Sequence, residues 1–161
     1  MQMAKASEEE KDQKVVCRNR EANRYYQLED RYEAGMALRG TEVKSLREGM
    51  ANLKDAYCDF QDEELFLIGA HISAYPYSKF FNHNPDRARK LLLHKSELKR
   101  LLGKVNERGF TIVPLKIYFK KRTAKLEIAL ARGKKLFDHR DDIKKRDMQR
   151  EMRREFKYRV R

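Results

Sequence analysis

The stretch from Thr111 to Leu130 constrains the fold of this chain more than any other. It reads TIVPLKIYFKKRTAKLEIAL. Thr111–Phe119 is β-branched and aromatic, a composition that suits a pleated, half-buried surface. Lys125–Leu130 alternates polar and apolar over its first four residues, as a strand with one buried face does. The short basic connection Lys120–Ala124 predicts a hairpin tip between the two. Pro114 has no N–H for a ladder, so it predicts an edge or a bulge at that point.

Other segments carry the same signal more weakly. Ala56–Phe60 and Leu65–Gly69 flank a four-residue connection, Gln61–Glu64, and read as a second hairpin. Tyr25–Leu28 and Gly35–Leu38 read as two short strands. Helices are fewer. Ser96 suits an N-cap, Leu98, Leu101, Leu102 and Val105 follow at helical spacing, and Gly109 closes the segment. A shorter helix fits Thr41–Arg47, with Thr41 as cap, Val43 and Leu46 facing inward, and Gly49 after its end. About six short strands with few helices predict a small closed antiparallel β-barrel.

With 161 residues the chain has room for one domain and tails. Its charge is unevenly spread. The net charge is +13, but residues 1–14 carry more acid than base, whereas residues 132–161 are strongly cationic. We therefore expect a disordered segment over 1–14, the barrel over 15–131, and a basic tail over 132–161. In the tail, Ile143, Met148, Met152, Phe156 and Val160 recur mostly four apart, with cations between them. That spacing predicts a segment disordered when free and helical when bound, with phosphates neutralising its charge.

A field of this sign attracts phosphate polymers or anionic lipid. No window approaches the ~18 apolar residues of a membrane span, and the N-terminus lacks the apolar core of a secretory signal, so a cytoplasmic protein with no membrane partner is expected. Cys17 and Cys58 fit no metal or redox spacing and are expected as reduced thiols. His71, His83, His94 and His139 are scattered, so no metal site or cofactor is expected. Gly35–Gly40 resembles the start of a phosphate loop, but Thr41-Glu42 stands where Lys-Ser/Thr is required. Glu63 and Glu64, at a hairpin tip, read as solvated charges. Nothing in the sequence calls for catalysis.

Binding signals are clearer. Arg87-Ala-Arg-Lys90 precedes the apolar run Leu91–Leu93, which predicts cations fixed on the rim of a rigid element. Tyr25, Tyr26, Tyr75, Tyr77, Phe80, Phe81 and Phe137 lie near basic residues; stacking on bases is expected of Tyr25, Tyr26 and Phe137.

The order and spacing of several runs resemble the SsrA-binding protein family, also called small protein B. They are Asn19–Ala22, Glu33–Arg47, Arg89–Leu93, Val113–Tyr118, Ala131–Lys135 and Asp138–Arg140. The resemblance implies a bacterial adapter of ribosome rescue with no enzymatic activity. Its partners would be transfer-messenger RNA (tmRNA), the ribosome at its small-subunit decoding centre and mRNA channel, and an elongation factor Tu complex. The fold implied is mainly β: an OB-like, closed, six-stranded antiparallel barrel with about three accessory helices and a basic C-terminal tail, expected as a monomer.

On the barrel, the expected RNA-binding residues are Asn19, Tyr25, Glu33, Lys44, Arg47, Arg89, Lys90, Leu92 and Lys125. Asn19, Glu33 and Leu92 come from the resemblance. In the tail, Gly133, Lys134, Lys135, Phe137, Asp138, His139, Arg140, Lys144, Lys145 and Arg146 are expected to meet the decoding region. The family's usual lysine is replaced by His139, which removes one fixed charge there. Glu33 repels phosphate, so its expected role is to accept from base amino groups or to brace a neighbouring arginine. The alternative reading of the whole chain is a basic structural protein of the ribosome.

Overall fold

The computed structural model describes residues 13–107, 109–134 and 136–159; for 136–143, 158 and 159 it describes the backbone alone. In chain order the elements are β1 (Gln13–Arg18), α1 (Ala22–Tyr25), β2 (Tyr26–Met36), α2 (Gly40–Arg47), β3 (Ala51–Asn52), β4 (Tyr57–Gln61), β5 (Glu64–Ile68), β6 (His71–Ile72), β7 (Arg89–Leu92), α3 (Lys95–Val105), β8 (Phe110–Lys120), β9 (Thr123–Gly133) and α4 (Leu136–Arg159).

Six strands close a ring, β8-β4-β5-β7-β2-β9, and the β8–β9 ladder completes it. Every pairing is antiparallel. β1 adds to the free edge of β8 past its short contact with β4, and β3 pairs with β6 as a separate two-stranded sheet. The six-stranded barrel expected from the sequence is therefore present, with α1, α2 and α3 as accessory helices. The disordered stretch expected over 1–14 lies mostly outside the described residues, though Gln13 and Lys14 already belong to β1.

The long hairpin forms as its sequence predicts. Lys120 pairs with Thr123, so Lys121 and Arg122 are the whole turn. Pro114 marks a bulge: the β8–β9 register slips between Pro114 and Lys116. The slip gives Leu115 a second apolar cluster to fill, with Ala22 of α1 and Ala129. Elsewhere the alternation points Ile112, Ile117, Leu126, Ile128 and Leu130 into the main core, where Leu65, Leu67, Leu91, Leu46 and Leu101 meet them. Each such side chain contributes about 1.5–3 kcal/mol by leaving water. The β4–β5 hairpin turns on Asp62 and Glu63 alone, both with positive φ, the geometry that matches strand twist.

Both helices start earlier than their sequences suggest. The N-cap of α2 is Arg39, whose N–H donates to Glu42 Oε2 at 3.0 Å, and that of α3 is His94, whose N–H donates to Glu97 Oε2 at 3.2 Å. A carboxylate three residues inside the helix thus does the work expected of Thr41 and Ser96. Thr41 instead meets His83 Nδ1 at 2.8 Å, and His83 Nε2 donates to the Ile72 carbonyl.

Glu42 is wholly buried, as is Arg89. Arg87 grips the Glu42 carboxylate with Nε at 2.5 Å and Nη2 at 2.7 Å, and Arg89 Nε adds a third contact at 3.3 Å. Arg89 also donates to the carbonyls of Ala70 (2.7 Å) and Pro85 (2.8 Å). Burial alone would raise the Glu42 carboxyl; the Arg87 and Arg39 hydrogen bonds and the two guanidinium charges outweigh it and hold the group below its ordinary value of 4.5.

A carboxyl depressed in the folded state contributes stability above its unfolded pKa, and that stability is lost as pH falls through the native value. Glu42→Gln should therefore cost about 3–5 kcal/mol at neutral pH, because Arg89 is left buried with its charge unmatched. Urea unfolding from pH 7 to pH 3 should show a shallower acid decline in the variant than in the wild type.

Candidate nucleic-acid interface

Strand alternation builds the first surface. Ala34, Leu91 and Leu126 point into the core, at 0%, 2% and 0% exposure. Their neighbours Glu33, Leu92 and Lys125 must then point outward, because successive side chains on a strand face opposite sides. Three strands, β2, β7 and β9, so bring these residues onto one outer wall. With Gly35, Leu93, His94 and Glu97 they line a shallow groove of about 470 Å³. Gly35 keeps it open: a Cβ there would stand 3.3 Å from Leu92 Cβ.

Glu33 is half anchored. Its Oε2 accepts from the Tyr118 hydroxyl and has Lys120 Nζ 3.8 Å away. Its Oε1 has no hydrogen-bond partner among the described residues, and the side chain is 37% exposed. The carboxylate is thus oriented through one oxygen and offers the other to an incoming N–H. It braces no arginine among the described residues. Burial, then the hydrogen bond to Glu33, then the charges of Glu33 and Glu127 push the Tyr118 phenol far above its usual range, so it stays a donor.

Glu127 sits directly across from Glu33 in the ladder. Like charges in that position repel. Arg31 Nη1 (3.6 Å) and Lys116 Nζ (3.7 Å) offset Glu127, leaving Glu33 the less neutralised of the two. The sequence pointed to Glu33 but not to Glu127, Tyr118 or Lys120, whose importance appears only once the register is known.

Asn19 and Tyr25 lie on a different surface, a groove of about 470 Å³ that they line with Tyr26, Tyr57, Asp55 and Thr111. Asn19 is chiefly a brace: its N–H donates to the Leu115 carbonyl at 2.7 Å and its Nδ2 to the Pro114 carbonyl at 3.0 Å, pinning the chain to the bulge. Tyr25 and Tyr57 are each 47% exposed. Tyr57, unremarked in the sequence, adds another half-exposed ring to this groove. Lys134 N–H donates to the Tyr25 carbonyl at 2.9 Å, and Gly133 pairs with Tyr26. Gly133 and Lys134, expected in the tail, are therefore fixed to the barrel.

The expected cationic rim needs correction. Arg89 shares the inward face of β7 with Leu91 and is consumed by Glu42 and backbone carbonyls, so it offers nothing to a ligand. Arg87 faces Glu42 too. Lys90 does point outward, but it pairs with Glu64 at 2.8 Å. Lys44 is exposed, with its Nζ 5.6 Å from the centre of the Tyr75 ring, and Arg47 is exposed at the end of α2. Tyr77, Phe80 and Phe81, on the connection between β6 and β7, are 77%, 90% and 87% exposed, more than any ring favoured from sequence that can be compared.

In α4 the side chains of Lys144, Lys145 and Arg146 are exposed, and so is every other one through Lys157. Met148, Met152 and Phe156 form an uncovered stripe, at 60%, 60% and 72% exposure. Lys135 lies outside the described residues, as do the side chains of Phe137, Asp138, His139 and Arg140. Among the described residues no cluster of His, Cys, Asp or Glu is placed to hold a metal, and no helix is long and apolar enough to cross a membrane. Both cysteines are free, and burial pushes the Cys17 thiol up to about 11.

Comparison with known proteins gives a consistent answer. The profile of the family described as SmpB protein matches residues 16–158. An SsrA-binding protein of Geobacter metallireducens is 53% identical over 140 residues, covering 87% of this chain and 92% of that protein. One from Trichodesmium erythraeum is 52% identical over 158 residues, covering 96% and 99%. A solved chain described under "tmRNA-SmpB: a journey to the center of the bacterial ribosome" is 51% identical and superposes with a TM-score of 0.63, over 74% of this chain and 85% of that one.

Glu33→Ala should weaken binding to a tRNA-like RNA domain about tenfold and leave the melting temperature within a few degrees. Tyr118→Phe should weaken it less, and the double variant should bind no worse than Glu33→Ala alone, because the hydroxyl acts through the carboxylate. Titration of the three variants against one RNA checks this.

Proposed function

The chain belongs to the SmpB protein family, and on that premise we propose that it is an RNA adapter of trans-translation. It binds the tRNA-like domain of tmRNA and brings it to ribosomes stalled on messages without a stop codon. The observation that carries this reading is the convergence of Glu33, Leu92 and Lys125, from three separate strands, on one outer groove.

The groove suits a folded RNA. Lys125 supplies charge for phosphate, Leu92 an apolar contact, and the free oxygen of Glu33 an acceptor for a base amino group. A tRNA-like domain is recognised by shape and exposed loops, so a rigid wall with a few such groups is adequate. The Asn19–Tyr25–Tyr57 groove extends the contact with rings suited to stacking.

The tail does the second task. A helix of 24 residues reaches about 36 Å. Its described side chains, Lys144 to Lys157, are all exposed, so they are open to ribosomal RNA in the empty mRNA channel. In the free protein the segment is loose, and it takes its helical form on the ribosome. A channel filled by message excludes it, which gives selectivity without reading sequence. The protein acts as a cytoplasmic monomer and works alongside elongation factor Tu.

Truncation after Lys134, which spares the last pair of β9, should leave affinity for isolated tmRNA within about threefold and abolish tagging on stalled ribosomes. Loss of both activities together would show that barrel and tail are not separate modules. Binding by the full chain should fall steeply with salt, log K dropping by about 0.7–0.9 per phosphate contact for each tenfold rise.

A further inference from the structure

We propose that the open end of the barrel beside the β8–β9 turn is a separate binding site for RNA phosphodiester backbone. Lys14, Arg47, Lys121 and Arg122 surround a groove of about 460 Å³ there, with Phe119 as its floor. Among the described residues no carboxylate lines it.

The charges are unspent. Lys116 and Lys120, on the same strand, each lie within ion-pair distance of a glutamate. None of Lys14, Arg47, Lys121 or Arg122 has a carboxylate partner among the described residues, and all four are exposed. Bringing cations together around one small opening opposes folding, and a bound polyanion reverses that repulsion.

The turn carries independent testimony. Lys121 has φ of +59°, the left-handed region in which a side chain is strained and glycine or asparagine is favoured. Two-residue hairpin turns are usually made by such residues. Here Lys121 and Arg122 take both places, and the strain at Lys121 is borne where the turn presents two cations.

The chemistry identifies the ligand class. The Glu33 groove mixes a cation with an acceptor and an apolar contact, which suits base edges. The mouth offers cations and one ring edge, which suits backbone phosphates and carries no sequence preference. It faces a different way as well: on β8, Tyr118 and Lys120 turn toward Glu33 on the outer wall, whereas Phe119 turns toward the core and the mouth. The site deepens the adapter reading and rests on it.

The test uses the full chain, with two RNAs as probes: a transcribed tRNA-like domain of tmRNA, and small ribosomal subunits free of message. The variant K14Q/K121Q/R122Q should bind at least one of them about tenfold or more weakly at low salt. Its log K against log salt should be flatter by about 2 with that RNA, the loss of three contacts. Which probe responds identifies the RNA that occupies the mouth. Lys121→Gly should weaken binding to the same probe while raising the melting temperature by a few degrees, a pairing that damage to the fold cannot produce. Unchanged slopes with both RNAs, or a lower melting temperature for Lys121→Gly, would overturn the site. If the wild type binds but the variants match it, this site alone is wrong; if the wild type binds neither RNA, the adapter reading fails and takes the site with it.

Discussion

The buried contact of Glu42 with Arg87 and Arg89 is the constraint on which the rest of the structure depends. It ties α2 to β7, and through the carbonyls of Ala70 and Pro85 it also holds the residue that enters β6 and the late part of the β6–β7 connection. A charge taken out of water this completely is tolerable only when its hydrogen-bonding capacity is filled, and here Arg89 has a carboxylate and carbonyls to donate to. The result is a long connection with fixed ends and a strand, β7, held at one height. Leu92 can stand beside Glu33 and Lys125 because Arg89, three residues back, is locked in place.

From that rigidity come surfaces of different character. The outer wall is mixed in chemistry: a carboxylate oriented by Tyr118, an ammonium and a leucine. The corner near α1 is aromatic. The barrel mouth is cationic throughout. RNA recognition divides along the same lines, since bases are read by paired donors and acceptors or by stacking, and the backbone by charge. One small barrel can do all of these because a strand shows alternate residues to opposite sides, and a closed ring has an end as well as a wall.

Much of this was legible in the sequence, for identifiable reasons. The β8–β9 hairpin and the Pro114 bulge were readable because β-branched runs and a missing donor act locally. The short helices are readable from sequence but their starts are not, because Glu42 and Glu97 reach back to cap from within. Strand β2 reads from sequence as two pieces because its middle, Glu29-Asp30-Arg31, is polar, and the register slips there. Arg89 reads from sequence as a rim cation because it stands beside leucines, yet it shares parity with Leu91, and that parity becomes informative only when the strand is known. The tail motif was legible as cationic and periodic, but the attachment of Gly133 and Lys134 to β2 was not, since pairing partners far apart in sequence leave no local mark.

That attachment has a mechanical meaning. Lys134, two residues before α4 begins, gives its amide to the carbonyl of Tyr25. The chain that leads into the tail is therefore fixed to the same corner that displays Tyr25. A pull on the tail therefore reaches the barrel first at the backbone beneath the Tyr25 ring, so load on one end of the chain is felt where that ring stands.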